Sequence, residues 1–108
     1  MNQMNLKGAD RRVLRAMGHG LKPTVIIGKE GVSSSVLAAI DAAHASAELF
    51  KVRVLENCPQ DRREVAEELT QRSDSAVVQI LGRTILLYRR SADQPRIGLP
   101  SYPLPAQR

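Results

Sequence analysis

Apolar positions recur along the chain with two spacings, and the switches between them mark seven elements. From Gly8 to about Gly18, Val13, Leu14 and Met17 fall on one side of a helical wheel, and Arg11, Arg12 and Arg15 fall on the other. Gly18 and Gly20, followed by Leu21, Lys22 and Pro23, stop that helix. Thr24 to Ile27 is a short β-branched run that predicts a buried strand. Ser33 to Ser35 offer N-caps for a second helix to about Leu49, with Val36, Ala39, Ile40, Ala43 and Ala47 as its packing face. Phe50 to Val54 alternates with period two, which turns Lys51 and Arg53 away from their apolar neighbours.

After the break at Asn57-Cys58-Pro59, Asp61 is placed to cap a third helix through about Arg72. Val65, Ala66 and Leu69 face inward there, and Arg62, Arg63, Glu64, Glu67 and Glu68 are solvated. Ser75 to Leu81 and Thr84 to Arg89 predict two strands joined at Gly82-Arg83, a connection short enough for a tight hairpin. The order αβαβαββ predicts an α+β fold, a two-layer domain whose helices pack on a four-stranded mixed sheet. Residues 1–100 are expected to form one domain, and residues 101–108, SYPLPAQR, a mobile tail.

Charge sharpens this picture. The chain carries 16 Lys and Arg against 11 Asp and Glu, and they are not evenly spread. Residues 1–29 hold six basic side chains and only Asp10, residues 30–82 hold five against nine acidic, and residues 83–108 hold five arginines against Asp93. Such polarity focuses a positive field suited to a polyanion. No apolar run approaches the roughly 18 to 20 residues of a membrane span, so no membrane partner is expected. With one cysteine, Cys58, an internal disulfide is ruled out. The first residues also lack the apolar stretch of a secretory signal, and a cytoplasmic setting is expected.

The segment Gly28-Lys29-Glu30-Gly31 lies between the first strand and the second helix. Two glycines at this spacing let a backbone approach a phosphate without a Cβ in the way, and the following helix N-terminus favours an anion. Lys29 supplies a charge at the tip, while Glu30 opposes one. Such a loop resembles the GXXG loop by which KH domains clamp a nucleic-acid backbone. The basic face of the first helix and Lys22 stand close by in sequence. Phe50, Tyr88 and Tyr102 are the only aromatics, which argues against a sheet that stacks bases on paired rings. Phe50 reads as core, and Tyr88 as packing at the sheet edge.

His19, His44 and Cys58 are scattered and give neither a catalytic constellation nor a metal-ligand spacing. The expectation is a protein that is not an enzyme, with no metal, no cofactor and no small-molecule substrate. His19 is placed either to cap the first helix or to join the basic surface.

The stretches HGLKPTVIIGKEGV, LFKVRVLENC, EVAEEL, VVQILGRTILLYR and PRIGLP, in this order, resemble the CRM domain in its stand-alone bacterial form, the YhbY family of ribosome-associated RNA-binding proteins. The resemblance spans Leu6 to Pro100. It implies a fold similar to the C-terminal domain of translation initiation factor three, a GXXG loop at Gly28 to Gly31, and association with precursors of the large ribosomal subunit. The reading is therefore a monomeric protein that binds structured ribosomal RNA through Gly28, Lys29, Glu30 and Gly31. Arg11, Arg12, Arg15, Lys22, Lys51 and Arg53 would extend the track, and Gly31→Asp is expected to weaken binding while sparing the fold. Rival readings are a protein–protein adaptor using the acidic third helix, a DNA binder, and a small hydrolase using Cys58 or a histidine.

Overall fold

The structure, a computed structural model, describes residues 5–105. Helix α1 (Gly8–Gly18) is followed by β1 (Pro23–Ile27), α2 (Ser34–Ser46), β2 (Leu49–Val54), α3 (Arg62–Arg72), β3 (Ala76–Leu81) and β4 (Thr84–Tyr88). The expected order and α+β class are present. The strands form one mixed sheet in the order β1-β2-β4-β3, with β1 parallel to β2 and the other pairs antiparallel.

Local chemistry sets the ends of these elements. Ser33 Oγ accepts the Val36 N–H at 3.2 Å and opens α2. Asp61 opens α3 with a reciprocal capping box: its carboxylate accepts from the Arg63 and Glu64 amides, and Glu64 accepts the Asp61 N–H, all at 2.9 Å. Gly82, at φ +59, makes the hairpin between β3 and β4.

Helix α2 ends three residues before the boundary expected from sequence, because Ala47 is extended at φ −150, ψ 134. That turn carries Glu48 into the interior, where its carboxylate accepts the backbone N–H groups of Ser91, Arg96 and Ile97 at 2.6 to 2.9 Å. The packing face of α2 is correspondingly different. Ile40 is buried with Val36, Leu37 and Ala43 around it, while Ala39 and Ala47 are exposed.

The helices do not share one side of the sheet, so the layering departs from the two-layer expectation. On one face Val25, Ile27, Phe50, Val52, Ile85 and Leu87 pack with Ile40 of α2 and Val65 and Leu69 of α3. On the other face Leu14 of α1 packs with Leu49, Leu86, Tyr88, Val78 and Leu99. The buried stripe of α1 is Asp10, Leu14 and Gly18, and Met17 is left 48% exposed. Alternation along β2, β3 and β4 supplies both cores at once, whereas β1 buries Val25 and Ile27 on the α2–α3 side alone. Tyr88 is buried on β4, an interior strand and not a sheet edge.

The C-terminal segment also differs from expectation. Leu99 is buried, and Ser101 donates its N–H to the Asp10 carboxylate at 2.9 Å. Arg90 donates to the carbonyls of Tyr102 and Pro103 at 2.8 and 3.0 Å. Residues 101–103 are thus tied to the domain, and the end of the expected tail, residues 106–108, lies outside the described residues. Among the described residues no helix is long and apolar enough to cross a membrane.

Candidate nucleic-acid interface

The Gly28–Gly31 loop carries the chain from the end of β1 to the cap of α2. The Gly31 N–H donates to the Gly28 carbonyl at 3.0 Å, and Ser33 donates to the Gly31 carbonyl at 2.9 Å. The two glycines are not equivalent. Gly31 takes φ +66, and a Cβ on it would stand 3.0 Å from Oε1 of Gln60. Gln60 in turn accepts the Val32 N–H at 3.4 Å and donates to Glu68, so it is not easily displaced. Gly31 is therefore demanded by the fold itself. At Gly28 a Cβ would meet Asn57 and Leu55 at 3.6 Å, an ordinary contact, and its φ lies outside the left-handed region. Lys29 and Glu30 are exposed at the tip.

On the α1 face, the helix covers only one end of the sheet. The rest of that face is an open groove of about 730 Å³. Its helical wall is Arg15, Ala16, Gly18 and His19, continued by Leu21 and Pro23. Its floor comes from three strands: Lys51 and Arg53 of β2, Thr84 and Leu86 of β4, and Gln79 and Leu81 of β3. Among the described residues no carboxylate lines it. Lys51 and Arg53 lie here because period-two alternation sends Phe50, Val52 and Val54 to the opposite core. Ile26, the register partner of Arg53, is 58% exposed, and Gly28 follows two residues later, just past the end of that strand. The groove and the loop thus meet along β1.

The cations named from sequence separate into three groups. Arg15, Lys51 and Arg53 converge on the groove. Arg12, Lys22 and Lys29 are exposed but outside its lining. Arg11 is half-buried, and its guanidinium donates to the Val77 and Val78 carbonyls at 2.9 and 3.4 Å. Those carbonyls sit at an irregularity in the β3–β4 register between Val77 and Gln79. The extra residue lets Val78 enter the core beneath α1 while Gln79 faces the groove from the same side.

Sequence reasoning did not single out Gln79, Leu81 or Thr84. The only signal for them was strand alternation, which holds for Thr84 on β4 but is shifted for Gln79 and Leu81 by the irregularity at Val78. His19 does both things offered for it, closing α1 with its N–H on Ala16 and lining the groove. His44 is buried elsewhere, 4.5 Å from the Phe50 ring centroid, and Cys58 packs half-buried against the α2–α3 core.

A carboxylate fixes the helix that walls the groove. Asp10, fully buried, accepts the N–H groups of Lys7 and Ser101, each at 2.9 Å. Burial pushes its pKa up, but the two backbone donors outweigh that and hold it below the ordinary carboxylate value.

Comparison with known proteins gives a consistent result. The family profile described as CRS1 / YhbY (CRM) domain matches residues 6–89. YqeI of Bacillus subtilis (strain 168), named a probable RNA-binding protein, is 42% identical over 95 residues, covering 88% of this chain and 99% of the relative. PA4753 of Pseudomonas aeruginosa, with the same designation, is 34% identical over 88 residues, covering 82% of this chain and 85% of the relative. The solution structure of SAV1595 from Staphylococcus aureus superposes with a TM-score of 0.76 at 38% identity, covering 89% of this chain and 100% of that one.

Proposed function

The chain belongs to the CRS1 / YhbY (CRM) domain family, and on that premise we propose that it is an RNA-binding protein gripping the backbone of structured RNA. The observation that carries this reading is the convergence of Arg15, Lys51 and Arg53 on one groove without a carboxylate, next to a GXXG loop. The relatives' designations as RNA-binding proteins support it from a separate direction. Gly28 adds a further reason. The fold does not require glycine there, whereas a phosphate approaching the loop backbone does. Lys29 then supplies a mobile counter-charge at the tip, and Arg12 and Lys22 extend the positive field along α1 and its exit.

The target in this proposal is ribosomal RNA in precursors of the large subunit, bound by a single copy of the protein in the cytoplasm. Contacts of this kind release counterions, so affinity should fall steeply with salt, by about 0.7 to 0.9 in log–log slope per phosphate engaged. Filter-binding titrations of a folded ribosomal RNA fragment across a salt series test the grip. Sedimentation of the tagged protein in lysate tests the target. Comigration with large-subunit particles at low salt, lost at high salt, is expected. Residence at the top of the gradient in both conditions would remove the ribosomal target. Salt-insensitive or absent RNA binding would remove the grip itself.

A further inference from the structure

A backbone track needs cations, yet the groove beside α1 holds more than cations. Its floor and walls also present Leu21 and Leu81, which are 40% and 69% exposed, and Ile26, 58% exposed, lies outside the lining as the register partner of Arg53. Between them stand two neutral hydrogen-bonding side chains, Gln79 and Thr84, on adjacent strands. Phosphates do not recruit apolar surface. A nucleobase does: its faces are apolar, its edge carries donors and acceptors, and its own phosphates bring the negative charge that Arg15, Lys51 and Arg53 complement.

Resting on the RNA-binding reading above, we infer that this groove receives an unpaired nucleotide, so that the preferred ligand is RNA with a single-stranded bulge, loop or end. A paired base cannot use such a groove, because its edge is occupied and its faces are stacked in the helix. An unstacked base lies against the aliphatic surface of Leu81 and Leu21, with a guanidinium plane from Arg15 or Arg53 in the role that aromatic rings fill elsewhere. Gln79, with one amide donor pair and one acceptor, and the Thr84 hydroxyl reach a base edge or a 2′-hydroxyl. The geometry of β3 bears on this. The irregularity at Val78 is what turns Gln79 toward the groove without opening the core. The volume of about 730 Å³ falls within the range of small-ligand sites, roughly 300 to 1,000 Å³.

The test compares two RNA probes, a 12-nucleotide oligouridine and a fully paired hairpin of 12 base pairs closed by a non-nucleotide linker, by fluorescence anisotropy. Proteins are wild type, Leu81→Ser, a Gln79→Ala/Thr84→Ala pair, and Lys29→Ala. Leu81 is mostly exposed, so Leu81→Ser should melt with the wild type, and this keeps the test independent of folding. Both groove variants are expected to lose about tenfold on oligouridine, in line with the contribution of one stacked base, and less than about twofold on the paired hairpin. Lys29→Ala should weaken both probes. Equal loss on both probes in the groove variants, or no loss on either, would overturn the inference. In the second case a weakening by Lys29→Ala would leave RNA binding itself standing. If the wild type bound neither probe, the RNA-binding reading would fall first.

Discussion

Gly18 sits so close to Leu86 that a β-carbon on it would stand 2.8 Å from both δ-methyl groups of the leucine. This contact joins the last turn of α1 to an interior strand and sets how far the helix leans over the sheet. Leu86 is 2% exposed and packed among Leu14, Leu49 and Tyr88, so it has little room to swing aside. Overpacking of this kind costs about 1 to 3 kcal/mol and helix propensity returns roughly 1 kcal/mol, so Gly18→Ala should destabilise the domain by up to about 2 kcal/mol. The midpoint of urea unfolding measures this directly. An unchanged or higher midpoint would mean that Leu86 repacks without strain.

Arg11 is expected to matter for stability more than for RNA affinity. Its guanidinium spans the Val77 and Val78 carbonyls, the point where β3 departs from regular pairing. Hydrogen bonds from a charged donor contribute roughly 1.5 to 3 kcal/mol. Arg11→Met keeps the aliphatic stem and should lower unfolding free energy by about that amount. The salt slope of RNA binding should change less than in Arg53→Met, which removes an exposed groove cation. A loss of slope close to one unit, about one phosphate contact, would return Arg11 to the binding track.

These two positions show where sequence reading reached and where it stopped. The alternation of Phe50 to Val54 and the Asp61 cap were legible because each depends on neighbours within a few residues. The same logic placed Lys51 and Arg53 opposite the apolar side of β2, although not which helix they would face. Asp10 entered the sequence reading only as one charge in a count and Gly18 only as a helix stop, yet both are buried on the stripe that docks α1. Nothing local marks them: the partners of Asp10 include Ser101, 91 residues away, and that of Gly18 is Leu86. Glu48 is a parallel case, a carboxylate taken inside because amides 43 to 49 residues later converge on it. Gln79 escaped notice for a different reason, since one extra residue in β3 breaks the period-two rule there.

His44 should give the domain a distinct loss of stability in mild acid. The ring is 8% exposed, with Nε2 2.9 Å from Ser75 Oγ and Nδ1 3.3 Å from the Ala47 carbonyl. Burial, and then the charge of Arg89, pushes its pKa down from 6.5 to about 4; the Ala47 carbonyl, Asp41 and Asp74 pull the other way. Because the folded value lies below the unfolded one, the unfolded chain binds more protons between these limits. Stability is complete above about pH 6.5 and falls as pH drops toward 4, by about 3 kcal/mol in all. Glu68 and Asp10, both held below their ordinary values of 4.5 and 3.8, add their losses as pH falls through and below those values, at the acid end of this window and beyond it. His44→Gln cannot titrate, so its denaturation midpoint should be flatter across this window. Parallel curves for the two proteins would exclude His44 as the source.

The two loop glycines make the sharpest separation between folding and binding. Gly31→Asp, the substitution suggested by sequence, is expected to lose stability, because it places a side chain at φ +66 and 3.0 Å from Gln60 Oε1. Left-handed backbone of this kind costs of order 1 to 3 kcal/mol for a residue other than glycine, with aspartate at the milder end. Any drop in its RNA affinity would then mix strain with lost contact. Gly28→Ala avoids this, since its Cβ meets Asn57 and Leu55 at 3.6 Å. Its unfolding free energy should stay within about 1 kcal/mol of wild type, because the stiffer unfolded chain offsets the new contact. If the loop backbone touches phosphate, the added methyl occupies the space the phosphate needs, and affinity should fall at least about tenfold at constant salt. Thermal melts and filter-binding titrations on the same preparations decide it. A stable Gly28→Ala protein with wild-type affinity would take the loop out of the interface and leave the groove to hold the RNA alone.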